Sequence, residues 1–165
     1  MTPGERIEGK MKRVLVGFFL GFFVLSAPMR ASAGDRHNST VIEMNIDEAQ
    51  ELLKIAYAEA GNQGEDGQWL VMSVIINRVN SSEFPNSIHE VIYQPGQFYT
   101  EGMSAAEPTA DTHLALARIE CGEVAPLILA FETDNGSALD KYFSYAFQYR
   151  NHKFYTRKEG QTCRQ

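Results

Sequence analysis

The chain has 165 residues, of which 15 are lysine or arginine and 21 are aspartate or glutamate, for a net charge of −6 at pH 7. So acidic a surface repels phosphate backbones, which excludes nucleic acid as an electrostatic partner and disfavours a simple grip on anionic lipid. Once an opening stretch that is not domain-like is set aside, the length admits one domain with one sizeable core.

In that stretch Lys12 and Arg13 precede an apolar run from Val14 to Ala27, followed by Pro28 and the small residues Ala31, Ser32 and Ala33. This is the order of a secretory signal cleaved after Ala33, and the run is shorter than the roughly 20 residues a membrane span needs. Residues 1–33 are therefore read as a signal peptide, with Met11 an alternative start, and no integral membrane segment is expected after cleavage. Its removal takes away five basic and two acidic residues, which leaves a net charge of −9. Cys121 and Cys163 then meet an oxidising compartment, where a disulfide between them is expected. Closing a loop of that length stabilises by about 4 kcal/mol in the chain-entropy model.

Residues 34–45 are polar and irregular and read as a flexible lead-in, with the domain proper over 46–165. Its first element is "IDEAQELLKIAYAEA", where Ile46, Ala49, Leu52, Leu53, Ala56 and Ala60 recur at steps of three and four. That spacing predicts an amphipathic helix with Asp47 and Glu48 in its first turn, stopped by Gly61 and Asn62. After a polar turn, "GNQGEDG", the segment from Gln68 to Asn80 is apolar on nearly every face. It predicts a helix buried by its neighbours, with Trp69 in the core; its length favours a helix over the strand that so β-branched a run also suggests.

A short helix is predicted from Ser87 to Tyr93, ending before Pro95-Gly96, with Phe98 and Tyr99 on the loop that follows. "EPTADTHLALARIECG" predicts a further helix with Pro108 in its first turn and Gly122 just past its end. "LILAFE" and "HKFYT" predict two strands, with a turn at Asp134-Asn135-Gly136. The sum is a mainly α, α+β single domain with a small β-sheet near the C-terminus.

Glu59 stands out because the helical period turns it towards the packed side of the first helix, four residues after Ile55 and three after Ala56. Desolvation and the negative end of the helix dipole would both raise its pKa there. A carboxyl group kept protonated near neutral pH is what a general acid requires. The alternative is a helix-end Glu that swings into water. The four scattered histidines and two distant cysteines supply no metal-ligand cluster, and no cofactor is implied. "HEVIY" has Tyr93 where a zinc-protease helix needs its second His, and there is no G-x-S-x-G and no P-loop.

Three segments, "YAEAGNQGEDGQWLVMSVIINRV", "FPNSIHEVIYQPGQF" and "NHKFY", resemble the signature segments of the SleB-type cell wall hydrolases, the family of spore cortex-lytic enzymes. The resemblance extends from about Leu52 to Tyr155. It implies a lysozyme-like fold and cleavage of peptidoglycan glycan strands between N-acetylmuramic acid and N-acetylglucosamine. It carries the family's catalytic acid onto Glu59, and it implies lytic transglycosylation, which needs a single carboxyl group. It also makes Gln97, Phe98, Tyr99 and His152 candidates for lining a saccharide groove. Against these roles stand a Phe98 that packs under its loop and a His152 that is a hydrogen-bonded structural residue.

Asn77 and Arg78 are expected to tie the central helix to neighbouring loops. The chain departs from the family at Gln63, where many relatives carry a second acid, and between Glu132 and Phe147, where the usual Trp- and Pro-containing pattern is missing. Glu65, Asp66, Glu101 and Glu107 are the remaining candidates for a second carboxylate, since glycoside cleavage usually employs two. Glycan strands are thus the expected partner, at a periplasmic or extracellular, wall-associated location. A non-catalytic peptidoglycan-binding or regulatory protein on the same fold is the alternative.

Overall fold

A computed structural model describes residues 42–133 and 138–158. The expected signal segment, the Asp134-Asn135-Gly136 turn and Cys163 lie outside those residues, while Cys121 is exposed at the end of a helix. The first helix, α1, runs Ile46–Ala60 as its apolar spacing predicts. A capping box starts it: the Glu48 amide donates to Asn45 Oδ1 at 2.9 Å and the Asn45 amide donates to Glu48 Oε2 at 3.1 Å.

The central helix, α2, spans Gly64–Val79 and so begins four residues before the expected Gln68. Glu65 and Asp66 supply the reason. They favour a helix N-terminus electrostatically, and both accept hydrogen bonds from Arg118, so this first turn is stabilised by charge and carries no apolar signal. The expected long glycine-rich turn is thereby reduced to Gly61, Asn62 and Gln63. Gly64 itself has φ +72°, a left-handed conformation that costs glycine nothing and lets the chain double back from α1 into α2.

The short helix α3 is Ile88–Ile92, capped by the Ser87 side chain, and a 3₁₀ turn over Thr100–Ala105 follows the loop carrying Phe98 and Tyr99. Helix α4 is Ala110–Glu120; Pro108 precedes its Thr109 N-cap instead of lying in its first turn. A second 3₁₀ turn occupies Leu139–Lys141.

The strands are β1 (Ile128–Thr133), β2 (Phe143–Tyr149) and β3 (His152–Arg157), antiparallel in the order β1-β3-β2. Only β1 and β3 were expected. The edge strand β2 is largely exposed, so it lacks the buried apolar alternation of a core strand. Both outer strands carry an irregularity against β3, between Ile128 and Ala130 and between Tyr145 and Phe147. Bulges of this kind bend a strand and increase its twist.

Helix α2 is buried on all sides, as its sequence predicts. Val71, Met72 and Ile75 pack with Leu52 and Ile55 of α1, Ile92 of α3 and Ile119 of α4, while Leu70 and Val74 meet Ile128 and Phe154 of the sheet. Burying each such side chain contributes about 1.5–3 kcal/mol. Trp69 is half-buried between these clusters, not fully in the core, because its Nε1 donates to the Glu123 carbonyl at 2.7 Å and the Arg118 guanidinium lies 4.0 Å from its ring centre. The fold is α+β and mainly α.

Candidate active site

Glu59 lies in the last turn of α1, half-buried, where the Tyr99 amide donates to its Oε1 at 2.6 Å. Burial raises its pKa above the ordinary carboxylate value, and the Tyr99 hydrogen bond opposes that shift by a smaller amount. The net direction favours the protonated carboxyl.

The Tyr99 amide is aimed by the residues around it. Phe98, 5% exposed, is buried under the loop with its ring 6.1 Å from that of Phe131. Gln97 Oε1 accepts a hydrogen bond at 3.1 Å from Arg78, whose Nε donates at 2.7 Å to the Leu129 carbonyl. The Arg78 guanidinium is buried beside the rings of Phe84 and Phe98, at 4.9 and 5.2 Å, and burial lowers its pKa to about 10. Asn77 donates to the carbonyls of Ala125 and Ile128 at 2.8 and 2.9 Å. Arg78 and Asn77 therefore tie α2 to the loops on either side, as the sequence suggests.

Tyr99 differs from its neighbours in facing solvent, with 51% of its surface exposed. Its ring covers Gly102 so closely that a Cβ there would come within 2.6 Å of the ring carbons. Glycine at 102 is what lets the Tyr99 ring pack over the start of the 3₁₀ turn.

His152, at the start of β3, is 3% exposed. Its ring lies 4.9 Å from Phe131, and the Gln63 amide nitrogen approaches its Nδ1 at 3.0 Å and its Nε2 at 3.2 Å. Burial lowers its pKa to about 4, so it is neutral at pH 7 and can accept from Gln63. Gln63 is itself 2% exposed, and its Oε1 has no hydrogen-bond partner. Gln63, where the resemblance leads one to expect a second acid, thus places a buried amide against a neutral imidazole. Of the other carboxylates considered, Glu65 and Asp66 are engaged by Arg118 at 3.1 and 2.9 Å, and Glu101 and Glu107 are exposed. Among the described residues no group of three or more His, Cys, Asp or Glu could hold a metal ion.

Sequence reading misses the β2–β3 hairpin as a neighbour of this site. Arg150 at its tip adopts φ +47° and donates to the Asn62 carbonyl at 3.4 Å, which brings the hairpin onto the α1–α2 turn. Along β2, Phe147 stacks on Phe154 at 5.2 Å and Tyr145 meets Tyr155 edge-on at 6.1 Å, each leaving an outer surface exposed. The two-residue spacing of Phe143, Tyr145, Phe147 and Tyr149 is the signal that could have revealed the strand.

A family model described as Cell Wall Hydrolase matches residues 62–164. The chain belongs to the SleB-type cell wall hydrolase family. Glu59 lies three residues ahead of the matched span. The spore cortex-lytic enzyme of Bacillus subtilis is 43% identical over 47 residues, which cover 28% of this chain and 15% of that protein. The catalytic domain of the germination-specific lytic transglycosylase SleB from Bacillus anthracis superimposes with a TM-score of 0.60 at 24% identity, over 68% of this chain and 97% of that one. The catalytic domain of the Bacillus cereus SleB protein does so with a TM-score of 0.58 at 24% identity, over 75% and 100%. At such identities the two structures establish a shared fold with this cell wall hydrolase.

Proposed function

We propose that this SleB-type hydrolase is exported and cleaves peptidoglycan glycan strands at the β-1,4 bond between N-acetylmuramic acid and N-acetylglucosamine, as a lytic transglycosylase with Glu59 as its acid and base. The observation that carries this reading is the half-buried Glu59 carboxyl, raised in pKa and held through one oxygen by the Tyr99 amide. Because Oε1 accepts that N–H, the proton resides on Oε2. From there it passes to the glycosidic oxygen as the bond to the leaving sugar breaks. The resulting carboxylate then takes the proton of the muramic acid 6-hydroxyl while that oxygen attacks C1, which gives a 1,6-anhydro end and returns the acid form.

An enzyme that delivers water usually places a second carboxylate about 5 to 9.5 Å from the first. Gln63 cannot serve as that base, since an amide has no proton-accepting carboxylate, which supports the single-acid route. Tyr99 offers its exposed ring to a sugar face, and Gln97 and His152 act by supporting the walls from behind. Mass spectrometry of digested peptidoglycan tests the route. Muropeptides with 1,6-anhydro ends are expected; reducing ends would overturn transglycosylation.

A second reading, a non-catalytic glycan-binding protein, draws on the same Gln63. It requires saturable binding to purified sacculi with no release of soluble muropeptides.

A further inference from the structure

At the end of α2 remote from Glu59 an open cavity of about 1010 Å³ lies between the helix terminus and the sheet. Helix α2 has 16 residues, about 24 Å, with the α1–α2 turn at its start and Asn80 just past its end; Leu129, also in the lining, accepts from Arg78, which in turn holds Gln97. Asn80, Ser81, Ser82, Ser144 and Thr156 line the cavity together with Leu127 and Leu129, and Arg157 and Lys158 bring two cations to it. Among the described residues none that lines the cavity is acidic.

Among the described residues the charges at the rim are only partly matched. Arg157 Nη2 pairs with Glu83 at 3.2 Å, and both side chains stay partly exposed. Lys158 Nζ lies 3.4 and 3.3 Å from the carbonyls of Asp140 and Lys141, contacts that hold the ammonium in place without cancelling its charge. A separate observation concerns Leu127, which also lines the cavity. It adopts φ +65° with 74% of its surface exposed. A branched, non-glycine residue pays a steric cost in that conformation, and such strain clusters where ligands bind. The result presents an apolar side chain to solvent beside a set of hydroxyls and two cations.

We infer that this cavity is a binding site for the peptide stem of peptidoglycan, with Arg157 and Lys158 taking its free carboxylates, the hydroxyls and amides its backbone, and Leu127 its small apolar side chains. A stem is a short peptide of alanine and carboxylate-bearing residues, and this lining combines the groups that such a ligand requires. Charge-assisted hydrogen bonds to the carboxylates supply the strongest contacts. The inference rests on the reading of peptidoglycan as substrate, and it adds a site that senses cross-linking peptide separately from the cleaved glycan.

The test titrates the Glu59→Gln protein, followed by amide NMR, with glycan-free L-alanyl-γ-D-glutamyl-meso-diaminopimelate and with the same peptide amidated at its carboxylates. Saturable shifts at Ser81, Ser82, Ser144 and Thr156 are expected, with affinity about tenfold weaker for the amidated peptide and for the free-acid peptide with Lys158→Gln in the same background. Shifts centred on Tyr99, no saturable shifts, or equal affinity for both peptides would overturn the assignment. Cleavage of peptide-free glycan by the unmutated protein is measured in parallel. If the peptide binds but no glycan is cut, the enzymatic reading fails and the cavity stands; the reverse pattern removes the cavity alone.

Discussion

Acidification destabilises this domain through His152 by an amount its burial sets. The imidazole is 3% exposed and its pKa is lowered from 6.5 to about 4, chiefly by desolvation of the charged form. In the unfolded chain the same ring takes up a proton below about pH 6.5. The unfolded state therefore binds more protons between pH 6.5 and 4. Stability from this group is fully present above 6.5, falls as the pH drops towards 4, and changes no further below that. Each pKa unit corresponds to 1.36 kcal/mol, so the loss across the window is about 3 kcal/mol. That is a large share of the roughly 5–15 kcal/mol by which domains are stable. Urea unfolding at pH 7, 5.5 and 4 measures it, with His152→Gln as the comparison because Gln keeps an acceptor for the Gln63 amide and does not titrate. The wild type should lose about 3 kcal/mol more than the variant between pH 7 and 4. Equal losses, or an NMR titration placing the His152 pKa near 6.5, would refute the reasoning.

Glycan cleavage should fall as pH rises through the raised Glu59 pKa, because the acid form is the reactive one; the alkaline limb of kcat/KM against pH reports it, and an alkaline limb at or below the ordinary carboxylate value of 4.5 would contradict it. Gly102→Ala should displace the Tyr99 ring, since the new Cβ would sit 2.6 Å from its carbons, and lower kcat/KM on the order of tenfold while thermal unfolding shows the fold intact. Asn45→Ala should cost about 1 kcal/mol by removing the α1 capping box, seen as a lower Tm with unchanged activity per folded molecule.

Helix α1 was legible because its apolar residues recur with the helical period and its acidic first turn agrees with them. The N-terminal turn of α2 was not, because Glu65 and Asp66 are stabilised there by Arg118, a partner more than 50 residues away. Strand β2 carries a period-two aromatic alternation, Phe143, Tyr145, Phe147 and Tyr149, but as an exposed edge strand with an irregularity it does not bury that face, so the pattern reads weakly beside those of β1 and β3. Within the candidate site, Glu59 could be singled out from its place on the packed side of a helix. The group that holds it could not, since the Tyr99 donor is a backbone amide that any residue would supply. The pairing of Gln63 with His152 joins positions 89 apart, and neither residue type announces the other.

The most direct measurement is the rate at which Glu59→Gln releases soluble muropeptides from purified sacculi, beside the wild type, with circular dichroism and thermal unfolding of both proteins. Loss of release in a variant whose fold and Tm are retained is the predicted result, since Gln keeps the shape and an acceptor for the Tyr99 amide but cannot protonate the glycosidic oxygen. Release at the wild-type rate by the folded variant would contradict the assignment of Glu59 as the acid.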